Sequence, residues 1–279
     1  FPTRRSSDLA IVTHTGKIVI IRSNSTLVYS DDNGATWNSF TDPLFSSGGP
    51  SWISEIDNRL WIVWKTVNSN FLYYSDNDGN TWSSVSYDFP GTYNDLSFIK
   101  LDNELFGSVT SSNFRSLFVK STDGGLTWEP TISVPEYDLY SLNYANGYIF
   151  ANGADYREDA DYGPDDTSLG IFRSNDYGAT WTRIYPIHDQ AYLKVIDNVI
   201  YVVDTDNEEI LASYNNGDTF ESFVELSGCI DICKFGEYFY ITTYSNGLYY
   251  YSKTMSLSIK WDKFAAGVNY DNFIAKNIT

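Results

Sequence analysis

The chain has 279 residues, and its 36 acidic against 18 basic side chains give a formal net charge of −18, which opposes long-range attraction to phosphate backbones or anionic membrane surfaces; no nucleic-acid partner is expected. Apolar residues make up 42% and aromatics 17%, with 23 Tyr and 8 Trp, so a sizeable core is available and a disordered chain is excluded. No apolar run approaches the roughly 18 residues of a spanning helix, and membrane insertion is not expected.

Residues 1–9, FPTRRSSDL, resemble the conceptual translation of a sequencing adapter and are set apart from the functional reading, Arg4 and Arg5 included. Beyond them the dominant feature is a repeat. The octamer SDDNGATW at 30 returns as SDNDGNTW at 75, STDGGLTW at 121, SNDYGATW at 174 and SYNNGDTF at 213, with a decayed copy, SKTMSLSIKW, at 252.

The same order of segments surrounds each copy. In the second repeat it runs SWISEI, a tight Asp57-Asn58 turn, RLWIVW, a short loop, FLYYS, the octamer, and then TWSSVSYD. Equivalent turns stand at Asp102-Asn103, Asn146-Gly147 and Asp197-Asn198, residue pairs that accept positive φ and favour hairpins. Units of about 40 to 50 residues with four short strands each predict an all-β fold, a β-propeller. Six four-stranded blades span 10–264, and 265–279 form a closing strand or the start of a truncated seventh. Cys229 and Cys233 lie four apart in a predicted strand, too far apart to bridge each other, and both are expected to be buried thiols.

The pattern Ser-x-Asp-x-Gly-x-Thr-Trp resembles the Asp-box, or BNR repeat, of sialidases, other glycosidases, sortilin-like receptors and photosystem assembly factors. The resemblance implies a box at the third-to-fourth-strand turn of most blades, on the face away from the binding site. The structural box residues are then Asp32, Gly34 and Trp37; Asn77, Gly79 and Trp82; Asp123, Gly125 and Trp128; Asp176, Gly178 and Trp181; and Asn215, Gly217 and Phe220. Asn77 and Asn215 replace the defining acid, a change that a hydrogen-bonded turn tolerates and a catalytic carboxylate does not.

Function is therefore expected at the opposite end. There the longest insertion, ADYREDADYGPDDTS, stretches the spacing between octamers to 53 residues, 121 to 174, after spacings of 45 and 46. Its acids at 155–166 offer oxygens to Ca2+ but lack the closing bidentate Glu of an EF-hand, so a solvated acidic loop without a cofactor is expected. Tyr156, Arg157 and Tyr162 from this loop join Trp52, Tyr93, Arg115, Glu136 and Tyr192 as candidate ligand-binding residues, because rings stack on sugars and polar groups meet their hydroxyls. Asp138, Asp95, Glu55 and Asp231 are the candidate carboxylates for a two-acid hydrolase.

A sialidase, as the resemblance would imply, needs three arginines on the substrate carboxylate, a Tyr nucleophile activated by Glu, and an Asp acid/base. Beyond the adapter-like start the arginines are Arg22, Arg59, Arg115, Arg157, Arg173 and Arg183, and Asn152-Gly153-Ala154 stands where one of the clamp is expected. The expectation is a propeller that binds a glycan or another cell-surface ligand without sialidase activity. A glycoside hydrolase and a protein-binding assembly scaffold are the alternatives. An extracellular or virion-associated setting is expected, and the acidic, lysine-poor composition with the adapter-like start suits a metagenomic bacterial or phage protein.

Overall fold

The computed structural model describes residues 10–21, 26–32, 35–40, 48–66, 70–85, 93–111, 116–134, 137–155, 169–187, 191–205, 207–235, 238–243 and 247–252. All the regular structure described is β. The first sheet is β1 (Ala10–Val12), β2 (Ile18–Ile21), β3 (Leu27–Ser30) and β4 (Asn38–Ser39) in that order; the second is β5 (Gly49–Ile56), β6 (Arg59–Lys65), β7 (Asn70–Ser75) and β8 (Ser83–Val85). The third is β9 (Tyr93–Leu101), β10 (Glu104–Ser111), β11 (Ser116–Ser121) and β12 (Glu129–Val134), and the fourth β13 (Tyr137–Ala145), β14 (Tyr148–Asp155), β15 (Leu169–Ser174) and β16 (Thr182–Pro186). The fifth is β17 (Ala191–Ile196), β18 (Val199–Asp204), β19 (Glu209–Ser213) and β20 (Glu221–Glu225). The sixth has three described strands, β21 (Cys229–Phe235), β22 (Tyr238–Thr243) and β23 (Gly247–Ser252). Five sheets thus show all four strands, while the expected adapter segment, Trp261 and the expected closing strand lie outside the described residues.

The chain divides into two compact units, one within 1–113 and 119–131 and the other within 114–118 and 132–268. Within the first, β5 lies beside β1 and β9; within the second, β17 lies beside β13 and β21.

Local sequence explains the hairpins. Ile56 pairs with Arg59 and Ile196 with Val199, leaving two-residue loops in which Asp57, Asn58, Asp197 and Asn198 all have φ between 52° and 61°. That is the type I′ geometry whose twist matches the strands it joins. Second strands are apolar almost without interruption, LWIVW in β6 and VIYVV in β18, because the sheets stack and these strands are covered on both faces. The fourth strands β4 and β20 are short, polar and largely exposed, and β16 is half-buried, as suits edges that must not pair further.

The core consequently lies between sheets. Val19 and Leu27 of the first sheet pack with Ile53, Leu60, Ile62, Trp64, Tyr73 and Trp82 of the second, and Phe150 and Ile171 of the fourth pack with Leu193, Ile200 and Val202 of the fifth. Burying one such side chain contributes about 1.5–3 kcal/mol. Among the described residues no helix is long and apolar enough to cross a membrane.

One thiol departs from expectation. Cys229 is buried, donates to Glu209 O at 3.7 Å and has its pKa pushed up to about 11, chiefly by burial, whereas Cys233 is exposed. The strand is not regular between them: Cys229 pairs with Thr243 and Asp231 with Thr242, so an extra residue reverses the alternation of faces.

Candidate functional site

Strands alternate in direction, so each sheet has a turn end, with the first hairpin and the octamer, and a loop end, with the second-to-third-strand connection. The octamers at 30, 75, 121, 174 and 213 lie between β3 and β4, β7 and β8, β11 and β12, β15 and β16, and β19 and β20.

Each octamer closes on its third residue. Asp123 Oδ1 accepts from the Ser121 hydroxyl at 2.8 Å and Thr127 N–H at 2.9 Å, while Oδ2 accepts from the Thr127 hydroxyl at 2.6 Å. Asp32 and Asp176 repeat these bonds. The threonine hydroxyls lead in holding Asp32 and Asp123 at about 2, below the ordinary 3.8. At Asp176 burial pushes upward, but Thr180 and Ser174 outweigh it and the carboxyl is lowered. The asparagine boxes keep the turn by reversing one bond: Asn77 Oδ1 still accepts from Ser75 and Thr81 N–H, but Nδ2 now donates to the Thr81 hydroxyl at 2.8 Å. Asn215 and Thr219 do the same. A hydroxyl that can either donate or accept makes the acid replaceable.

The box is also a joint between neighbouring sheets. The residue before the glycine and the glycine itself both have positive φ, 62° and 84° at Asp78-Gly79, 71° and 90° at Gly124-Gly125, and 61° and 88° at Asn216-Gly217. The carbonyl preceding each glycine accepts a cation from the sheet before: Lys17 Nζ donates to Asp78 O at 2.8 Å, Arg59 Nη1 to Gly124 O at 2.7 Å, and Arg173 Nη1 to Asn216 O at 2.6 Å. Bare glycine is required by contact as well as by φ. A Cβ on Gly79 would stand 2.1 Å from the Phe40 ring, one on Gly125 2.3 Å from Trp61, and one on Gly217 2.3 Å from Ile184, again in the preceding sheet.

The box aromatics Trp82 and Trp181 are buried, and Trp37, Trp128 and Phe220 are half-buried. Trp128 and Trp181 donate to the carbonyls of Gly125 and Gly178 at 2.9 and 3.0 Å, and Gly178 N–H is held by Ser174 at 2.9 Å. Gly34 lies outside the described residues.

Glu55 belongs to the turn end, not to the carboxylates of the loop end. It lies two residues before the Asp57-Asn58 turn and accepts from His14 N–H at 2.8 Å, with His14 Nδ1 2.5 Å from its other oxygen. Arg59 and Arg173 are consumed in the joints, the first also paired with Asp76 and lying over Tyr74, the second paired with Asp218 and over Tyr148.

At the loop end the fourth and fifth sheets concentrate buried polar groups. Asp138 is 2% exposed, and Asn152, Asp155 and Asp204 are buried with it. Asp138 pairs with Ala154 and Tyr140 with Asn152, which places Asp138 and Asn152 diagonally on one face. Asn152 Nδ2 donates to Ala191 O at 2.8 Å, and its Oδ1 is buried with no hydrogen bond among the described residues. Asp204 accepts from Tyr185 at 3.1 Å and from Asn207 N–H and Nδ2 at 3.0 and 2.9 Å. Burial first, then this carboxylate, raises the Tyr185 pKa. A Cβ on Gly153 would meet Asp138 O at 2.2 Å, so this position holds no longer side chain, the arginine of a sialidase clamp included.

The remaining sequence candidates divide. The Trp52 ring packs on Phe98, centroids 4.6 Å apart, and Tyr192 packs against the core between the fifth and sixth sheets, so both act in packing between sheets rather than as a free stacking platform. Asp231 accepts from Ile232 N–H at 2.8 Å and lies 3.4 Å from Lys194 Nζ. Tyr93 and Asp95 lie in the first three residues of β9, and Arg115, Glu136, Tyr156, Arg157 and Tyr162, with 156–166 of the acidic loop, lie outside the described residues.

A surface that sequence reasoning passed over lies at the turn end. In the second unit the large exposed hydrophobic side chains among the described residues are four tyrosines, Tyr144, Tyr177, Tyr214 and Tyr238, exposed by 43%, 62%, 49% and 41%. Tyr144 precedes the Asn146-Gly147 hairpin, Tyr238 opens β22 opposite Phe235, and Tyr177 and Tyr214 occupy variable positions of the octamers.

The BNR/Asp-box repeat family matches residues 28–39. The fold is similar to YCF48 bound to D1 peptide, at 16% identity over 85% of this chain and 75% of that one, TM-score 0.57. The chain folds as a β-propeller and carries an Asp-box repeat. The propeller is similar also to YCF48 from Cyanidioschyzon merolae, at 13% identity over 83% of this chain and 78% of that one, TM-score 0.53. A nidogen/laminin complex structure is similar at 10% identity over 88% of each chain, TM-score 0.55. No curated protein sequence matches the chain.

Proposed function

We propose that this propeller is a protein-binding scaffold, and that it takes a basic peptide segment of its partner on the turn end of the second unit. The observation that carries the reading is the set of exposed tyrosines, Tyr144, Tyr177, Tyr214 and Tyr238. Tyr177 and Tyr214 stand on turns already fixed by Ser174, Asp176, Ser213 and Asn215, so presenting their rings to a partner requires little further ordering. Tyrosine combines a large apolar face with a hydroxyl and is enriched where proteins meet. The net charge of −18 selects a basic partner over an acidic one. The similar YCF48 structure is bound to a D1 peptide, which supports a peptide ligand on this fold.

The reading takes the propeller to be six-bladed, supported by six successive sheets, the last with three described strands. Glycan binding, the first expectation from sequence, loses support because Trp52 and Tyr192 are engaged in packing.

The test is a peptide array of Lys/Arg-containing and neutral sequences, probed with the full chain and followed by titration of the best peptide at two salt concentrations. Expected are a basic peptide, at least tenfold weaker binding to a Tyr177→Ala/Tyr214→Ala variant with unchanged thermal stability, and further loss at high salt. A blank peptide array with a specific signal on a glycan array, or peptide binding that the double variant leaves intact, overturns the proposal.

A further inference from the structure

The contact between the first and second sheets departs from the pattern set further along the chain. Two residues before their hairpin turns, the third and sixth sheets carry Lys100 and Lys234, each of which reaches back to an acid on the preceding hairpin: Lys100 Nζ to Asp57 at 2.6 Å, and Lys234 Nζ to Asp197. At the equivalent place the second sheet carries Glu55, and the preceding turn, Thr13–Lys17, offers His14. A cation facing an acid is replaced by a carboxylate facing an imidazole. A third donor arrives from the octamer, where Asp78 is fixed at φ 62° before Gly79.

One ligand atom from each of His14, Glu55 and Asp78 lies within 4.8 Å of the others. We propose that these three side chains bind a divalent transition-metal ion of the zinc class, which staples the first hairpin to the second sheet. One imidazole and two carboxylates are a donor set that zinc accepts, with metal–ligand distances of about 2.0–2.2 Å and a fourth position left to water. The ion takes the place of the proton between His14 Nδ1 and Glu55 Oε1, now 2.5 Å apart.

The second observation is an orphaned acceptor. Asp78 Oδ1 is buried and makes no hydrogen bond among the described residues, whereas Oδ2 accepts from the Thr15 hydroxyl and lies 4.0 Å from Lys17 Nζ. A buried carboxylate oxygen without a partner calls for an ion or a water. The outer contacts are those that orient metal ligands: Thr15 and Lys17 hold Asp78, and His14 N–H holds Glu55 Oε2 at 2.8 Å. Lys17 remains on Asp78 O, so its charge weakens the site without blocking it, and affinity in the micromolar range is expected.

The test uses the full chain, stripped with chelator and titrated calorimetrically with ZnCl2, with Co2+ as a spectroscopic probe of ligand type. Expected are one equivalent of zinc, a raised melting temperature, and a Co2+ spectrum without the thiolate charge-transfer band. His14→Ala, Glu55→Gln and Asp78→Asn should each weaken binding at least tenfold; Asn tolerates the positive φ at 78, and His14 is exposed, so these variants keep the metal-free melting temperature of the parent. A Cys233→Ser variant should bind as the parent does. Absence of saturable binding, or binding that survives His14→Ala and Asp78→Asn but is lost in Cys233→Ser, overturns the proposal.

Discussion

The two ends of the sheets are built on opposite principles. At the turn end the same joint is made repeatedly, from a cation on a box carbonyl and a bulky side chain on a box glycine, with substitutions inside a fixed geometry: Lys17, Arg59 or Arg173 as the cation, and Phe40, Trp61 or Ile184 as the plug. At the loop end each polar group is individual, with Asp138 and Asn152 buried on one face of the fourth sheet and Asp204 tying down Tyr185 and Asn207 in the fifth. Repetition marks what every blade needs in order to pack on its neighbour. A departure from repetition, such as Tyr177, Tyr214 or the His14–Glu55 pair, marks what packing alone does not require.

The largest effect expected separates close approach from backbone conformation. Gly125 and Gly147 have nearly equal φ, 90° and 85°, yet a Cβ at 125 would meet Trp61 at 2.3 Å while one at 147 meets nothing within 4 Å. Gly147→Ala should destabilise by about 1 kcal/mol, the left-handed penalty alone. Gly125→Ala adds overpacking against a fully buried indole and should destabilise by about 3 kcal/mol. Denaturant unfolding of the two variants measures the difference, and equal losses would mean that the joint depends on φ and not on contact.

Next in size is the cation. Arg59→Met keeps much of the apolar stem but removes the donors to Gly124 O and Asp76, and a loss of about 1–2 kcal/mol is expected from hydrogen bonds made by a charged, partly buried group. Lys120→Met, which removes only a partly exposed pair with Glu104 at 3.7 Å, serves as the comparison. A loss at Arg59 no larger than at Lys120 would reduce the latch to incidental contact.

These features differ in how legible they are from sequence. The octamer and the two-residue hairpins can be read because their chemistry is local: Ser, Asp, Gly and Thr act within one turn, and Asp57-Asn58 fixes its own φ. The joints cannot be read, since Arg59 meets Gly124 across 65 residues and nothing in either segment names the other. Glu55 reads as a catalytic candidate because an acid in a first strand carries no mark of which end it occupies. Trp52 reads as a ligand platform because nothing in its segment names Phe98, on which its ring packs, and Cys233 leaves the face of Cys229 because one extra residue in β21 shifts the pairing. The tyrosines at 177 and 214 fall at positions where the octamer pattern is silent, so a pattern that identifies scaffold conceals a surface built on it.

The smallest effect distinguishes the acid boxes from the amide boxes. Asp32 and Asp123 are held at about 2 in the folded protein against an ordinary 3.8, and Asp176 is lowered as well. A carboxyl depressed by folding contributes stability that is fully present above the unfolded value and is lost as pH falls through the folded one. The contribution of these boxes should therefore fade between about pH 4 and pH 2. Asn77 and Asn215 make equivalent turns with no proton to gain, so those two turn residues contribute no such slope. Replacing Asp32, Asp123 and Asp176 together by Asn should leave the melting temperature at pH 7 within a few degrees of the parent and flatten its decline below pH 4. The carboxylates are solvent-exposed enough that salt screening keeps the change modest. If the triple variant instead loses most of its stability at neutral pH, the ionised acid does something in the turn that the reversed threonine bond at Asn77 and Asn215 does not replace. The five boxes would then be two kinds of turn rather than one.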